Sequence, residues 1–356
     1  MTSGILRDLV CLPDNAVDFS SNDYLGFSTL PEIKNISSGQ LAAGSTGSRR
    51  ITGNSLLAEQ TEQIIANFHQ AESALIFNTG YMANVGLFSC IAAKGDTIIS
   101  DEYIHASIVD GIRLSYANRL KFKHNDVADL EKKLQVPQSG QIFVSVESIY
   151  SMDGDEAPLI AIVQLCKQYS ALLIVDEAHA TGIFGSKGEG LVAHYNLQAD
   201  VFSCVYTLGK AIGLHGAAVT GSHVLRIFLI NHARAFIFTT ALPPHIYCQI
   251  QKAYQLLPLA NRKHLLSLVQ HFKNGISTIE NVQFIASSSP VQGIIIGNNF
   301  KAKALAGHLL SKGFFVRAIL APTVPVGTER LRICLHTFNT AAQVDALLQE
   351  INNFMA

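Results

Sequence analysis

The chain has 356 residues, 48% hydrophobic and 15% charged, with 26 basic and 27 acidic side chains giving a formal charge of −1. Twice the ~150 residues of an ordinary domain predicts two domains, with a core large enough to need neither disulfide nor metal, and so balanced a charge argues against a protein held to nucleic acid by bulk electrostatics. Charged residues fall below the ~25% of ordinary soluble domains, which points to surface hidden in a subunit interface.

In chain order, residues 1–35 are too few for a domain and predict an arm. Residues 36–244 alternate helical spacing with short apolar runs. Helices are expected at Leu56–Phe68, Ala83–Ala92, Ile104–Leu114, Val127–Leu134 and Leu159–Tyr169. Strands are expected at Ala74–Phe77, Thr97–Ile99, Ile142–Val146, Ala171–Val175, Val201–Tyr206 and Ala217–Thr220. Strands apolar on both faces and separated by helices imply an α/β fold, a mostly parallel sheet covered on both sides. After Pro243-Pro244 the texture changes. Helices at His245–Leu257, Arg262–Ile279, Lys301–Lys312 and Ala341–Phe354, with strands at Gly293–Ile296, Phe314–Arg317 and Leu331–Leu335, predict a smaller α+β domain over 245–356.

Cys11, Cys90, Cys166, Cys204, Cys248 and Cys334 are scattered and form no C-x-x-C pair. They read as reduced thiols of a cytoplasmic protein. Met1–Val10 shows no leader pattern. No apolar run approaches the ~18 residues of a membrane span.

The most informative stretch is Leu172–His179, L-L-I-V-D-E-A-H. A buried strand delivers Asp176 to its C-terminal end, where ligands of parallel sheets bind. The letters D-E-A-H also occur in helicases, but those need a G-x-x-x-x-G-K-[ST] loop, and Gly209-Lys210 is followed by Ala211. No H-E-x-x-H or comparable cluster supports a metal. A carboxylate facing a cationic heterocycle remains, beside the plainer reading of an Asp that caps the next helix.

Lys210, in T-L-G-K-A after another buried run, also stands just past a strand end. Lysine forms Schiff bases with aldehydes. Asp and Lys at neighbouring strand ends are what pyridoxal phosphate requires, one for the pyridinium nitrogen and one for the aldehyde. A phosphate could rest where Asn78-Thr79-Gly80-Tyr81 opens a helix, though such a turn is often only a turn. His105 could stack on an aromatic ring or be an ordinary structural histidine. Ser148, again past a strand end, could equally be a cap. The loop Ala43–Arg50 could surround an anion or be a flexible turn. Arg330 and Arg332 alternate onto one face of a strand and suit a carboxylate; a salt bridge is the expected fate of one of them.

These segments together resemble the α-oxoamine synthases, pyridoxal-phosphate enzymes of the aspartate-aminotransferase fold. The matches run nearly end to end: S-N-D-Y-L-G from Ser21, G-S-T-G-S-R from Gly44, N-T-G-Y-M-A-N from Asn78, H-A-S-I-V-D-G from His105, H-N-D from His124, E-S-I-Y-S-M-D-G-D from Glu147, D-E-A-H-A-T-G from Asp176, T-L-G-K-A from Thr207, F-I-F-T-T-A-L-P-P from Phe236, and R-L-R from Arg330. The resemblance implies a role for each matching residue. Lys210 is expected to be the Schiff-base lysine and the base for the substrate's Cα proton, and Asp176 the partner of the pyridinium nitrogen. His105 is expected to stack on the ring, with Ser148 and His179 at its hydroxyl. Thr79, Gly80, Tyr81 and Thr207 would hold the phosphate. Thr239 or Thr240 would reach the phosphate of a second subunit, which implies a homodimer with shared sites. Asn22 and Arg332 would bind the substrate carboxylate. The implied reaction condenses an amino acid with an acyl-CoA or acyl carrier protein and releases carbon dioxide. The loop at Gly44 resembles that of the members joining L-alanine to a pimeloyl thioester. A glycine-using synthase, an aminotransferase and a catalytically silent binding module are the alternatives.

Overall fold

The computed structural model describes residues 9–36, 41–280 and 282–355. Most of the segment read for a leader therefore lies outside the described residues. The chain forms two compact units: one of Phe27–Ile149 with Ala157–Ala260, the other of Met1–Gly26, Tyr150–Glu156 and Asn261–Ala356.

These boundaries differ from the expected divisions at 35 and 244. The N-terminal segment is not a separate arm. Val17–Asp18 pairs in parallel with Phe314–Phe315, and Cys334 N donates to Phe19 O at 2.8 Å. The helix Pro244–Leu256, expected to open the small domain, stays with the large unit. Its Gln251 Nε2 donates to Thr61 Oγ1 at 2.9 Å.

The large unit is built on a seven-stranded sheet. Its strands are β1 (Ser73–Phe77), β2 (Thr97–Asp101), β3 (Asn118–Phe122), β4 (Ile142–Glu147), β5 (Leu172–Asp176), β6 (Ser203–Thr207) and β7 (Ala217–Gly221). The spatial order is β1-β7-β6-β5-β4-β2-β3. Only β7 runs antiparallel to its neighbours. Strands β1 and β2 are buried at every residue, as both-face coverage requires. The unforeseen strand is β3, an edge strand reading N-R-L-K-F and mostly exposed. With one side solvated it carries no apolar run to read.

Helices pack on the sheet where the sequence supplies caps. Ser55 accepts from Ala58 N at the start of α1 (Leu56–Phe68). Thr79 accepts from Met82 N and starts α2 (Gly80–Phe88) three residues before the apolar spacing suggests. Substituting such a cap costs about 1 kcal/mol. Leu75, Phe77, Leu87, Phe88, Ile108 and Phe143 are among the buried side chains joining this sheet to its helices.

In the small unit, β8 (Val291–Ile295), β9 (Arg317–Ile319) and β10 (Arg330–Cys334) form an antiparallel sheet with Gln283–Phe284. The strand expected at Phe314–Arg317 is two strands serving two sheets, broken at Val316. Residues 150–156 belong here because Gly154, at φ +72°, presses its backbone on Val291 O. A Cβ would collide there, and positive φ favours glycine.

Candidate active site

In the large unit, chemistry-bearing residues gather where β4, β5 and β6 end. Asp176 closes β5 and is 5% exposed. Its Oδ2 accepts from Asn84 Nδ2 at 2.8 Å. Its Oδ1 accepts from Ala178 N at 2.9 Å, so Asp176 does bind backbone, but in a turn and with one oxygen only. Asn84 Nδ2 also donates to Ser107 Oγ at 3.0 Å, which fixes the carboxylate from α2 and from α3 (Ala106–Leu114). Three residues past the end of β6, Lys210 Nζ lies 2.7 Å from His179 Nε2.

His105 caps α3 through Nδ1, which accepts from Ser107 N at 3.2 Å and meets Ser107 Oγ at 2.7 Å. A ring nitrogen that accepts a backbone N–H favours the neutral imidazole. Desolvation of the ring lowers its pKa, the charge of Asp176 opposes this, and Lys210 lowers it further. His105 therefore senses both charges of the site.

The turn after β1 meets the end of β6. A Cβ on Gly80 would lie 2.6 Å from Thr207 Oγ1, so only glycine lets the start of α2 approach Thr207. That helix start presents backbone N–H groups suited to an anion. Tyr81 is exposed, and its hydroxyl donates to Asp110 Oδ2 at 2.6 Å. Thr239 and Thr240 follow the short helix Arg234–Ile237. The Thr240 carbonyl accepts from Asn78 Nδ2 at 2.7 Å.

Ser148 is the residue expected at the ring hydroxyl. It is fully buried, and its hydroxyl donates to Glu177 Oε2 at 2.9 Å. Glu177 also accepts from Leu191 N and Val192 N. Ser148 thus anchors a buried carboxylate inside the fold.

One residue earlier stands a group the sequence reading passed over. Glu147 ends β4 in register with Asp176 on β5. It is 2% exposed, and its Oε1 has no hydrogen-bond partner. Burial, then the charge of Asp176, push its pKa up to about 8. Its signal was its position, an acid closing an apolar strand just as Asp176 does. Asn84 and Ser107 were also missed as supports of Asp176, although both lie inside quoted motifs.

In the small unit, Arg332 and Asn22, the two residues expected at the substrate carboxylate, meet each other. Arg332 Nη2 donates to Asn22 Oδ1 at 2.9 Å, Nε to Ser151 O at 2.6 Å and Nη1 to Cys334 Sγ at 3.0 Å. Arg330 takes the salt-bridge role, pairing with Asp153. A cavity of about 530 Å³ in this unit is lined by Arg332, Arg317, Lys303, Met152 and Ile319, among others. A separate cavity of about 350 Å³ near the start of β6 holds His69. Both nitrogens of that ring are engaged, by Glu189 O at 3.0 Å and Tyr254 Oη at 3.1 Å, so it offers no reacting group.

A family model described as aminotransferase class I and II matches residues 14–351. The 8-amino-7-oxononanoate synthase of Emericella nidulans is 40% identical, the alignment covering 98% of this chain and 92% of that protein. Among solved structures, an 8-amino-7-oxononanoate synthase from Francisella tularensis superposes with TM-score 0.83 at 30% identity, covering 96% of this chain and 98% of its own. A serine palmitoyltransferase from S. paucimobilis with bound PLP-myriocin aldimine reaches TM-score 0.89 at 29% identity, covering 95% and 87%.

Proposed function

Because the chain belongs to the aminotransferase class I and II family, and within it to the α-oxoamine synthases, we propose that it joins L-alanine to a pimeloyl thioester. The products are 8-amino-7-oxononanoate, the free thiol and carbon dioxide. The acyl carrier is coenzyme A or a carrier protein. The cofactor is pyridoxal 5′-phosphate.

One observation carries the residue assignment: Lys210 Nζ reaches His179 Nε2 at 2.7 Å where the strand bearing Asp176 ends. The residues suit the cofactor on structural grounds. The contact of Gly80 with Thr207 opens a backbone cradle that any Cβ would fill, and a buried carboxylate and a lysine stand beside it. When bound, pyridoxal phosphate supplies an aldehyde carbon that an amine can attack and a cationic ring that draws electrons from the substrate's Cα.

Asp176, held from two sides, accepts the ring N–H and keeps the ring cationic. His105 offers its face to the ring. Gly80, Tyr81 and Thr207 hold the phosphate, while Thr79 shapes the cradle by capping α2. Lys210 Nζ anchors the cofactor and, once released, takes the Cα proton. His179 Nε2 orients that amine. Asn22 and Arg332 take the amino acid's carboxylate.

The protein works as a homodimer, with Thr239 or Thr240 serving the partner's phosphate. Support comes from the low charged fraction and from apolar side chains left exposed on the large unit, Ile51 at 78%, Leu56 at 77% and Phe238 at 70%. No described helix is long and apolar enough to cross a membrane, and the six cysteines are all free. Both agree with a cytoplasmic enzyme.

Thiol release tests the reaction. Purified protein loaded with cofactor is given L-alanine with pimeloyl-CoA, and in parallel glycine with acetyl-CoA. Release in the first mixture alone is expected. Release in the second alone assigns the chain to glycine chemistry, and silence in both removes the acyl-transfer reading.

A further inference from the structure

Strands β9 and β10 place Arg317 and Arg332 as direct cross-strand partners. Like charges opposed in this way cost stability. Among the described residues no hydrogen bond or ion pair engages the Arg317 side chain, and no carboxylate lies among the residues lining the cavity that both arginines share. Arg332 is 8% exposed and tied to Asn22 and Ser151, whereas Arg317 is exposed. The two cations therefore leave one sheet face for different environments, one buried and one open to water. Lys303, exposed on the helix Asn299–Ser311, lines the same cavity. The rest of the lining is largely apolar, Met152, Ala306, Val316, Ala318, Ile319 and Leu320 among it, with Ser20 and Thr323 as its polar members. The volume of about 530 Å³ lies in the range of about 300–1,000 Å³ usual for small-molecule sites.

From this distribution we infer that the cavity receives the acyl chain and that Arg317, assisted by Lys303, reads a carboxylate at the chain's far end. The inference rests on the proposed condensation and deepens it. A largely apolar lining that carries one buried cation and two exposed ones fits a molecule that is aliphatic in the middle and anionic at both ends. After the new carbon–carbon bond forms, the substrate pair is such a molecule: the amino acid's carboxylate belongs to Arg332 and the acyl chain's own carboxylate to Arg317. Arginine suits this task because its planar fork grips a carboxylate through two bonds. An acyl chain without a terminal carboxylate would leave the Arg317 guanidinium without a counter-charge, so the arrangement selects by charge as well as by length.

The test compares two donors on the cofactor-loaded enzyme, pimeloyl-CoA and heptanoyl-CoA, which share the coenzyme and chain length and differ in the terminal carboxylate. The ratio of their kcat/KM values is measured for the wild type, Arg317→Gln and Arg317→Lys. The expected result is a ratio at least tenfold lower in Arg317→Gln and partly restored in Arg317→Lys. Calorimetric binding of free pimelate should weaken by a similar factor. An unchanged ratio overturns the inference. An equal loss on both donors also overturns it and moves Arg317 to the coenzyme's phosphates, and a rise in the alanine KM with the ratio held assigns it to the amino acid. Wild-type failure to release thiol from pimeloyl-CoA would instead strike the proposed function. Pimelate binding would still test Arg317 in that case.

Discussion

Arg330 and Arg332 leave one strand two residues apart, on one face, and are about equally buried, yet they meet different company. Arg330 finds an acid, Asp153, and its remaining nitrogens donate to Thr328 O at 2.9 Å and Thr328 Oγ1 at 3.1 Å. Arg332 finds the neutral acceptors Asn22 Oδ1, Ser151 O and Cys334 Sγ. A buried cation with an acid partner is a finished structural element. A buried cation fixed by neutral groups keeps its charge uncompensated until an anion arrives, and a buried charge without a counter-charge is costly. The difference separates a residue that holds the fold from one that the proposed function gives to the substrate's carboxylate.

Breaking the first should show in stability. Arg330→Gln strands Asp153 in a buried site, and removing one partner of such a pair costs about 3–5 kcal/mol. The expected outcome is a loss of that order in a urea melt, with the alanine KM of the folded fraction little changed. Arg332→Gln should do the reverse. It removes no ion pair, so stability should move by about 1 kcal/mol. Loss of a charge-assisted contact to substrate should raise the alanine KM roughly a hundredfold, equivalent to about 2.7 kcal/mol. If both variants lose stability alike and neither changes the alanine KM, the distinction between them fails.

A smaller effect sharpens the same contrast with two acids. Asp176 is held by an amide and a backbone N–H, while Glu147, its register partner, keeps one oxygen unpaired. The carboxyl of Glu147 has its pKa raised to about 8 from an ordinary 4.5. Between those values the unfolded chain has lost this proton and the fold retains it, so the group makes stability fall as pH rises, by at most about 1.4 kcal/mol per pH unit. Glu147→Gln removes that dependence. Its stability relative to wild type should climb from pH 5 to pH 8 and level off above. A difference that stays flat across this window would show that Glu147 is ionised in the fold.

The sequence was legible where local chemistry repeats the global design. The run L-L-I-V-D is a buried strand ending in an acid, and it forms β5 with Asp176 at its tip. Arg332 and Asn22 were paired only through motif resemblance, since 310 positions separate them. What stayed hidden was of two kinds. The edge strand β3 is half solvated, so its polar and apolar residues give no buried run. The membership of the units depends on contacts between distant segments, such as Gly154 against Val291, which no periodicity reports. Ser148 and Glu147 show how fine the limit is. Both stand at the tip of β4, but alternation turns one inward to Glu177 and leaves the other beside Asp176, and only the three-dimensional register tells which.

The central claim is that Lys210 carries the cofactor. The most direct measurement is borohydride reduction of the cofactor-loaded protein, followed by proteolysis and mass spectrometry of the peptides. The account predicts a pyridoxyl group on Lys210 and its absence from Lys210→Ala. The same group found on another lysine, or no adduct on a protein shown to bind the cofactor, would contradict it.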